Sequence, residues 1–284
     1  MRDVADDEIK TPVSTRIYSM EPDTYDQSRP RIGRRESEPH SCEITYLYDV
    51  LRNNFPQHHA LWDLHHYFPY EGEEIDVQFD ISFFLNYSIN YSLSSYHGRE
   101  HENRVPSLAI NILSRSTWKT DLTENMEYAR MVKIPVYVVF APFDVASRPY
   151  QPPFARSYLL QPDGNYKLKE LRGARSIADA AVPFPPADQL DLEGLIPFNL
   201  GLVKLEKTHE KNKTLYRLVL IDKDTSKVLL SKVELQEREL KQEKQRAEQE
   251  KQRAEQEKQR AEQEKQRAEK YLQLLKKNGI DAPD

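Results

Sequence analysis

The chain has 284 residues, 38% of them apolar, with 41 Lys+Arg against 46 Asp+Glu and only eight glycines. No two glycines are spaced for a GxGxxG turn or a phosphate-cradling P-loop, which excludes dinucleotide and P-loop nucleotide chemistry. A net charge of −5 does not advertise a nucleic-acid binder, and the single cysteine, Cys42, excludes disulfides and thiolate metal sites.

Residues 1–37 are polar and aperiodic and read as a flexible arm. Arg29, Arg31, Arg34 and Arg35 form a short basic cluster within it, either solvated or available to phosphate. A helix is expected from near Ser41, because Ile44, Leu47, Val50 and Leu51 recur at helical spacing and Pro39 marks the entry. Cys42 on this helix reads as a small core residue. HALWDLHHYFPY (59–70) and IDVQFDISFFL (75–85) suit strands joined through a turn at Gly72. The segment 86–104 is polar and rich in Ser and Asn, the composition of a surface loop.

LAINIL (108–113) and VYVVFAP (136–142) are almost continuously apolar, with a helix expected between them from Asp121. Strand, helix and strand with short links predict a parallel pair buried on both faces. Beyond Pro142 the pattern becomes antiparallel. SYLLQ and YKLKEL flank Pro162-Asp163-Gly164, a hairpin signal, and LYRLVLID and KVLLS flank a second turn at Asp222 to Ser226. Residues 182–198 read as a Pro-rich loop.

The last 51 residues differ in kind. They hold 12 apolar residues and balance 13 acidic against 13 basic ones, so the net charge belongs to residues 1–233. QEKQRAE repeats four times from 242 to 269, and Val233, Leu240, Ala247, Ala254, Ala261, Ala268 and Leu275 form one seven-residue stripe. A helix from 234 to 277 would run about 66 Å at 1.5 Å per residue. The other seam positions in the repeats are Glu or Lys, so an isolated salt-bridged helix and a coiled coil joining copies of the chain are both open.

Two polar residues interrupt the apolar strands, Asp80 in VQFDISFF and Asn111 in LAINILS. Buried polar groups are expensive unless paired, so both demand partners. The histidines fall in two adjacent pairs, His58-His59 and His65-His66. Neighbours on a strand point to opposite faces, so at most one of each pair could serve a Zn²⁺ or Ni²⁺ ion, and a structural role is expected instead.

PSLAINILSRSTWKTDLTENMEYARMVKIPVYVVFAP, residues 106–142, resembles the heart of a restriction endonuclease family in the PD-(D/E)xK nuclease superfamily. There a stretch of the form PDLVIEILSPST…D…K…YA..GVPEYW..DP occupies this place. Ser114, Ser116, Thr117, Asp121, Pro135, Tyr137 and Pro142 match in register, and Tyr128 and Ala129 fall within about one place of their counterparts. LLKKNGIDAPD, residues 274–284, resembles the family's closing LxxLGIDPD-like tail. The resemblance covers most of residues 38–284.

The resemblance implies Mg²⁺-dependent phosphodiester hydrolysis of DNA. Such chemistry needs carboxylates to hold the ion and a lysine to poise the attacking water. By the family pattern the catalytic positions are Asp80, Asn111, Asn125 and Glu43, and the metal ligands are Asp80, Glu43 and Asn111. The departures are specific. The family's glutamate falls on Asn111 and its lysine on Asn125, while Phe79 replaces a proline and Ala141 an aspartate. Asp76, Lys119, Glu124 and Lys133 lie near enough in sequence to be considered as substitutes.

The expected fold is thus α/β, a restriction-endonuclease-like mixed sheet flanked by helices and followed by a long charged C-terminal helix or coiled coil. The nuclease-like domain is placed at 38–233, with its core at about 38–145 and antiparallel additions at 146–233, then the heptad helix at 234–277 and a tail at 278–284. Two functions follow as expectations. One is a DNA endonuclease of impaired catalysis; the other is a non-catalytic binding or assembly protein, with DNA, a protein or a second copy as partner. The N-terminus lacks the apolar stretch of a signal peptide and no run of 18 apolar residues occurs, so a cytoplasmic protein without a membrane span is expected.

Overall fold

The computed structural model describes residues 37–177, 182–210 and 212–277, and divides them into a globular unit ending at Ser231 and a helical unit starting at Lys232. The expected N-terminal arm (all but Ser37), its arginine cluster and the 278–284 tail lie outside the described residues.

The globular unit is built on a seven-stranded mixed sheet. Its strands are β1 (His59–Tyr70), β2 (Glu73–Phe84), β3 (Tyr96–His97), β4 (Leu108–Ile112), β5 (Val136–Ala141), β6 (Phe154–Leu160) and β7 (Tyr166–Leu171). They lie in the order β3-β1-β2-β4-β5-β6-β7. A three-stranded sheet adds β8 (Arg175–Ser176), β9 (Phe198–His209) and β10 (Lys213–Asp222), in the order β10-β9-β8. The helices of this unit are α1 (Glu38–Asn54), α2 (Trp118–Leu122) and α3 (Glu124–Met131). The α/β class and the mixed sheet are as expected.

The two apolar runs do form a parallel pair, with Leu108 opposite Val136 and Ile112 opposite Phe140, and every residue of both strands is buried. One face of the sheet carries Ile110, Ile112, Val138 and Phe140 into a core shared with α1 and the second sheet. The other carries Ala109, Tyr137 and Val139 into a core with Leu122 and Ala129 of the connecting helices. Only an element covered on both sides can be this uniformly apolar.

Several expectations need correction. The first helix starts at Glu38, and Pro39 sits in its first turn, where the missing N–H costs nothing. Cys42 is exposed, because burial of Ile44, Leu47, Val50 and Leu51 turns it outward. The crossover helix starts before Asp121 and is broken in two at Thr123 (φ −124°, ψ −79°), whose hydroxyl donates to the Lys119 carbonyl at 2.7 Å. The 86–104 segment is not a simple surface loop. Ile89, Tyr96 and His101 are buried, Tyr96 and His97 pair with β1, and the Tyr96 and His101 rings stack at 4.7 Å. β10 takes as its main partner β9, which was not expected as a strand; Lys227–Ser231 returns through the Asp222 turn with only one bridge, Ile221 to Val228.

Gly201 marks where the second sheet packs most tightly. A Cβ there would sit 2.6 Å from Ile221 Cδ1 and 2.9 Å from Phe184 Cε1. Gly201→Ala is therefore expected to lower the stability of the globular unit by about 1–3 kcal/mol through overpacking. A Cβ at Gly173 meets only Asp188 Oδ1 at 3.8 Å, so Gly173→Ala should stay within about 0.5 kcal/mol of the parent in urea melts. Equal losses in both variants would refute the packing account.

The helical unit is α4 (Lys232–Lys277), 46 residues long and exposed along almost its whole length. No described helix is long and apolar enough to cross a membrane.

Candidate active site

Asp80 sits where β2 is distorted. The β1–β2 register pairs Trp62 with Ile81 and Leu64 with Phe79 and steps over Asp63 and Asp80 between them, and Asp63 has φ +50°. Across this point the odd-numbered side chains change sides: Ile75, Val77 and Phe79 pack in one core, Ile81 and Phe83 in the other. The distortion aims the Asp80 carboxylate toward β4, and Oδ2 accepts the Ile112 N–H at 2.6 Å. Its Oδ1 lies 3.2 Å from His40 Nε2, on α1, with the two side chains only 14% and 7% exposed.

Asn111, 3% exposed, joins the same cluster from β4. Its Oδ1 accepts the Asp80 backbone N–H at 3.3 Å, and its Nδ2 donates to Asp121 Oδ1 at 2.8 Å. Asn125 Nδ2, one turn further along the crossover, donates to the same oxygen at 2.9 Å. Tyr137 OH closes the group by donating to the Asp121 backbone carbonyl at 2.8 Å. Burial first, and then the nearby Asp121 charge, hold the Tyr137 phenol well above its ordinary pKa, so it remains a donor. The product is a chain of hydrogen bonds from β2 through β4 to α2 and α3, with His40 of α1 set against its Asp80 end.

Glu43, three residues after His40 and so on the same side of α1, is also buried. Its Oε1 accepts from Arg217 Nε of β10 at 3.1 Å, and the same guanidinium lies 4.1 Å from the centre of the Tyr46 ring. A buried carboxylate held by arginine in this way is stable where a lone one is not.

Of the four residues expected to carry chemistry, Asp80, Asn111 and Asn125 share one network, joined by Asp121. Glu43 is turned to Arg217. The proposed substitutes are elsewhere: Asp76 Oδ1 lies 2.8 Å from His65 Nδ1, and Lys119, Glu124 and Lys133 are exposed. Asp121, His40 and Arg217 are site residues that the sequence reading did not single out. Asp121 had a signal, since it matches the aspartate of the family that residues 106–142 resemble. His40 had a weaker one, its i,i+3 spacing to Glu43.

The histidine pairs have structural partners. His58 Nδ1 and His59 Nδ1 accept backbone N–H groups of Asn86 and Ile89, at 3.1 and 3.4 Å. His66 is buried among Phe68, Phe79 and Tyr96. Among the described residues, no three His, Cys, Asp or Glu side chains gather as a metal ion would require.

The donor set of the Asp80 cluster does not fit Mg²⁺. The ion prefers several carboxylate or carbonyl oxygens in octahedral array. Here Asp80 Oδ2 receives the Ile112 N–H, the His40 ring lies 3.2 Å from Oδ1, the Asn111 oxygen faces the Asp80 amide, and Glu43 faces a guanidinium. Cationic or N–H groups stand where the ion's own charge would be needed.

No protein-family model matches the chain, and no curated protein matches it. Among solved structures it is similar to a "putative nuclease belonging to DUF820" from Anabaena variabilis ATCC 29413, at 18% identity and a TM-score of 0.36, over 53% of this chain and 74% of that one. Likeness at that level says nothing about chemistry.

Proposed function

We propose that this protein keeps a nuclease-type framework but has given up phosphodiester hydrolysis, and acts as a non-catalytic binding or assembly protein. One observation carries the reading: Asp121 Oδ1 receives the amide N–H groups of both Asn111 and Asn125. These are the two positions at which the family resemblance calls for a glutamate and a lysine. A glutamate would bring negative charge to Mg²⁺, and a lysine would poise water. Two neutral amides do neither, and instead bind each other's neighbourhood together through one carboxylate. Removing a single well-placed group of this kind typically costs catalysis about 3 kcal/mol of transition-state stabilisation.

The rival reading is a Mg²⁺-dependent endonuclease working through Asp80 with Glu43 and Asn111. Its support is that Asp80 and Asn111 stand side by side, as the resemblance requires. Incubating the purified full chain with plasmid and oligonucleotide DNA in Mg²⁺ or Mn²⁺ decides between them. We expect no cleavage above that of Asp80→Ala and Asp80→Asn, with gain of some metal-dependent cleavage in Asn111→Glu plus Asn125→Lys. Metal-dependent cleavage by the parent chain that both Asp80 variants lose overturns the proposal. The conservative Asp80→Asn variant guards against misfolding of the alanine form.

A further inference from the structure

The long helix α4 is the surface whose chemistry names a partner most specifically. Viewed down its axis at 3.5 residues per turn, the seven-residue stripe from Val233 to Leu275 is flanked by two different charged columns. On one side, three places after each stripe residue, stand Glu243, Glu250, Glu257 and Glu264. On the other, four places after, stand Lys244, Lys251, Lys258 and Lys265. All of these residues are exposed along the helix.

At the C-terminal end all three columns turn apolar together: Tyr271 continues the glutamates, Leu272 the lysines and Leu275 the stripe. Tyr271 is 66% and Leu272 44% exposed, and Leu240 near the other end is 51% exposed. Large apolar groups set out in line on an otherwise charged helix mark a contact surface.

We propose that α4 pairs with α4 of a second copy of this chain, parallel and in register. The orientation follows from the columns. When two such helices face each other in parallel, the glutamate column of each lies against the lysine column of the other. Glu250 then meets the second copy's Lys251 at nearly the same height, and the four repeats supply this pair on both sides of the seam. An antiparallel pair sets glutamate against glutamate and lysine against lysine. It also sets Tyr271, Leu272 and Leu275 against Gln236, Glu237 and Val233, while the parallel pair stacks the three apolar residues on themselves. The alanines let the backbones approach closely, and a strict seven-residue repeat winds the pair left-handed. The competing arrangement is the solitary helix, with its charges satisfied by pairs such as Glu248–Lys251 within one chain.

This inference names the partner in the assembly reading, and its test is independent of nuclease activity. In the full chain carrying Cys42→Ser, Ala247→Cys and Ala261→Cys are made separately and oxidised. Each single variant is expected to cross-link to itself, and the parent chain to show twice 33.4 kDa by light scattering. Lys251→Glu plus Lys258→Glu should weaken the dimer by about tenfold or more, and adding Glu250→Lys plus Glu257→Lys should restore it. A mass of 33.4 kDa at every workable concentration overturns the proposal, as does cross-linking only in the mixture of the two cysteine variants. Failure here leaves the account of the Asp80 cluster untouched.

Discussion

Asp121→Ala should cost the globular unit about 3–5 kcal/mol, seen as an earlier midpoint in urea with the slope preserved. Asp121 is 4% exposed, and its Oδ1 is the acceptor for both Asn111 and Asn125. Truncation leaves the buried Asn111 amide and the part-buried Asn125 amide without that acceptor, at up to about 1–3 kcal/mol each. It also opens a small cavity beside Leu122. Asp121→Asn keeps the shape and one carbonyl oxygen, and should lose much less. Asn125→Ala in the Asp121→Ala chain removes one stranded donor and should return about 1 kcal/mol. A loss below about 1 kcal/mol for Asp121→Ala would mean that the network does not tie the crossover helices to β4.

The second large effect is acid instability centred on His66. Its Nδ1 lies 2.9 Å from the Leu64 carbonyl and donates to it, while its Nε2 meets no hydrogen-bond partner among the described residues. Burial is the dominant influence and pushes its pKa down to about 4; the Leu64 carbonyl and Asp76 oppose this weakly, and His65 assists it. The unfolded chain, at about 6.5, takes up a proton that the folded chain refuses. Stability from this residue is therefore complete above about pH 6.5 and falls as the pH drops toward 4, by roughly 3 kcal/mol over that window. Half-buried His59, its pKa also lowered mainly by burial, acts in the same direction. Urea melts at several pH values should show His66→Phe with a shallower acid slope than the parent. Parallel slopes in the two proteins would assign the acid sensitivity elsewhere.

Much of the sheet was legible because its strands are marked locally. β4 and β5 are apolar end to end, and β6 and β7 flank Pro162-Asp163-Gly164. β9 was not legible. Only its first half is buried, and Lys204 to His209 run into solvent with charges that mimic a loop. What makes it a strand is β10, a partner defined by pairing rather than by composition. Tyr96 and His101 escaped for a related reason, since ring stacking leaves no periodic trace in sequence. At the site, Asp80 and Asn111 stood out as polar residues in apolar strands. Arg217 did not, because it reaches Glu43 across 174 positions of chain. The same buried Glu43 helps set the helix phase that turns Cys42 outward, against expectation.

The four identical repeats of α4 carry a consequence for length. Gain or loss of one QEKQRAE copy moves the ends of the helix by about 10.5 Å and leaves every column in phase, because seven residues return each side chain to its own row. The helix is thus extensible in fixed steps, as a ruler is, with the spacing between its apolar ends set by copy number alone. A shift by a number of residues that is not a multiple of seven would rotate the Tyr271–Leu275 end away from the stripe that begins at Val233.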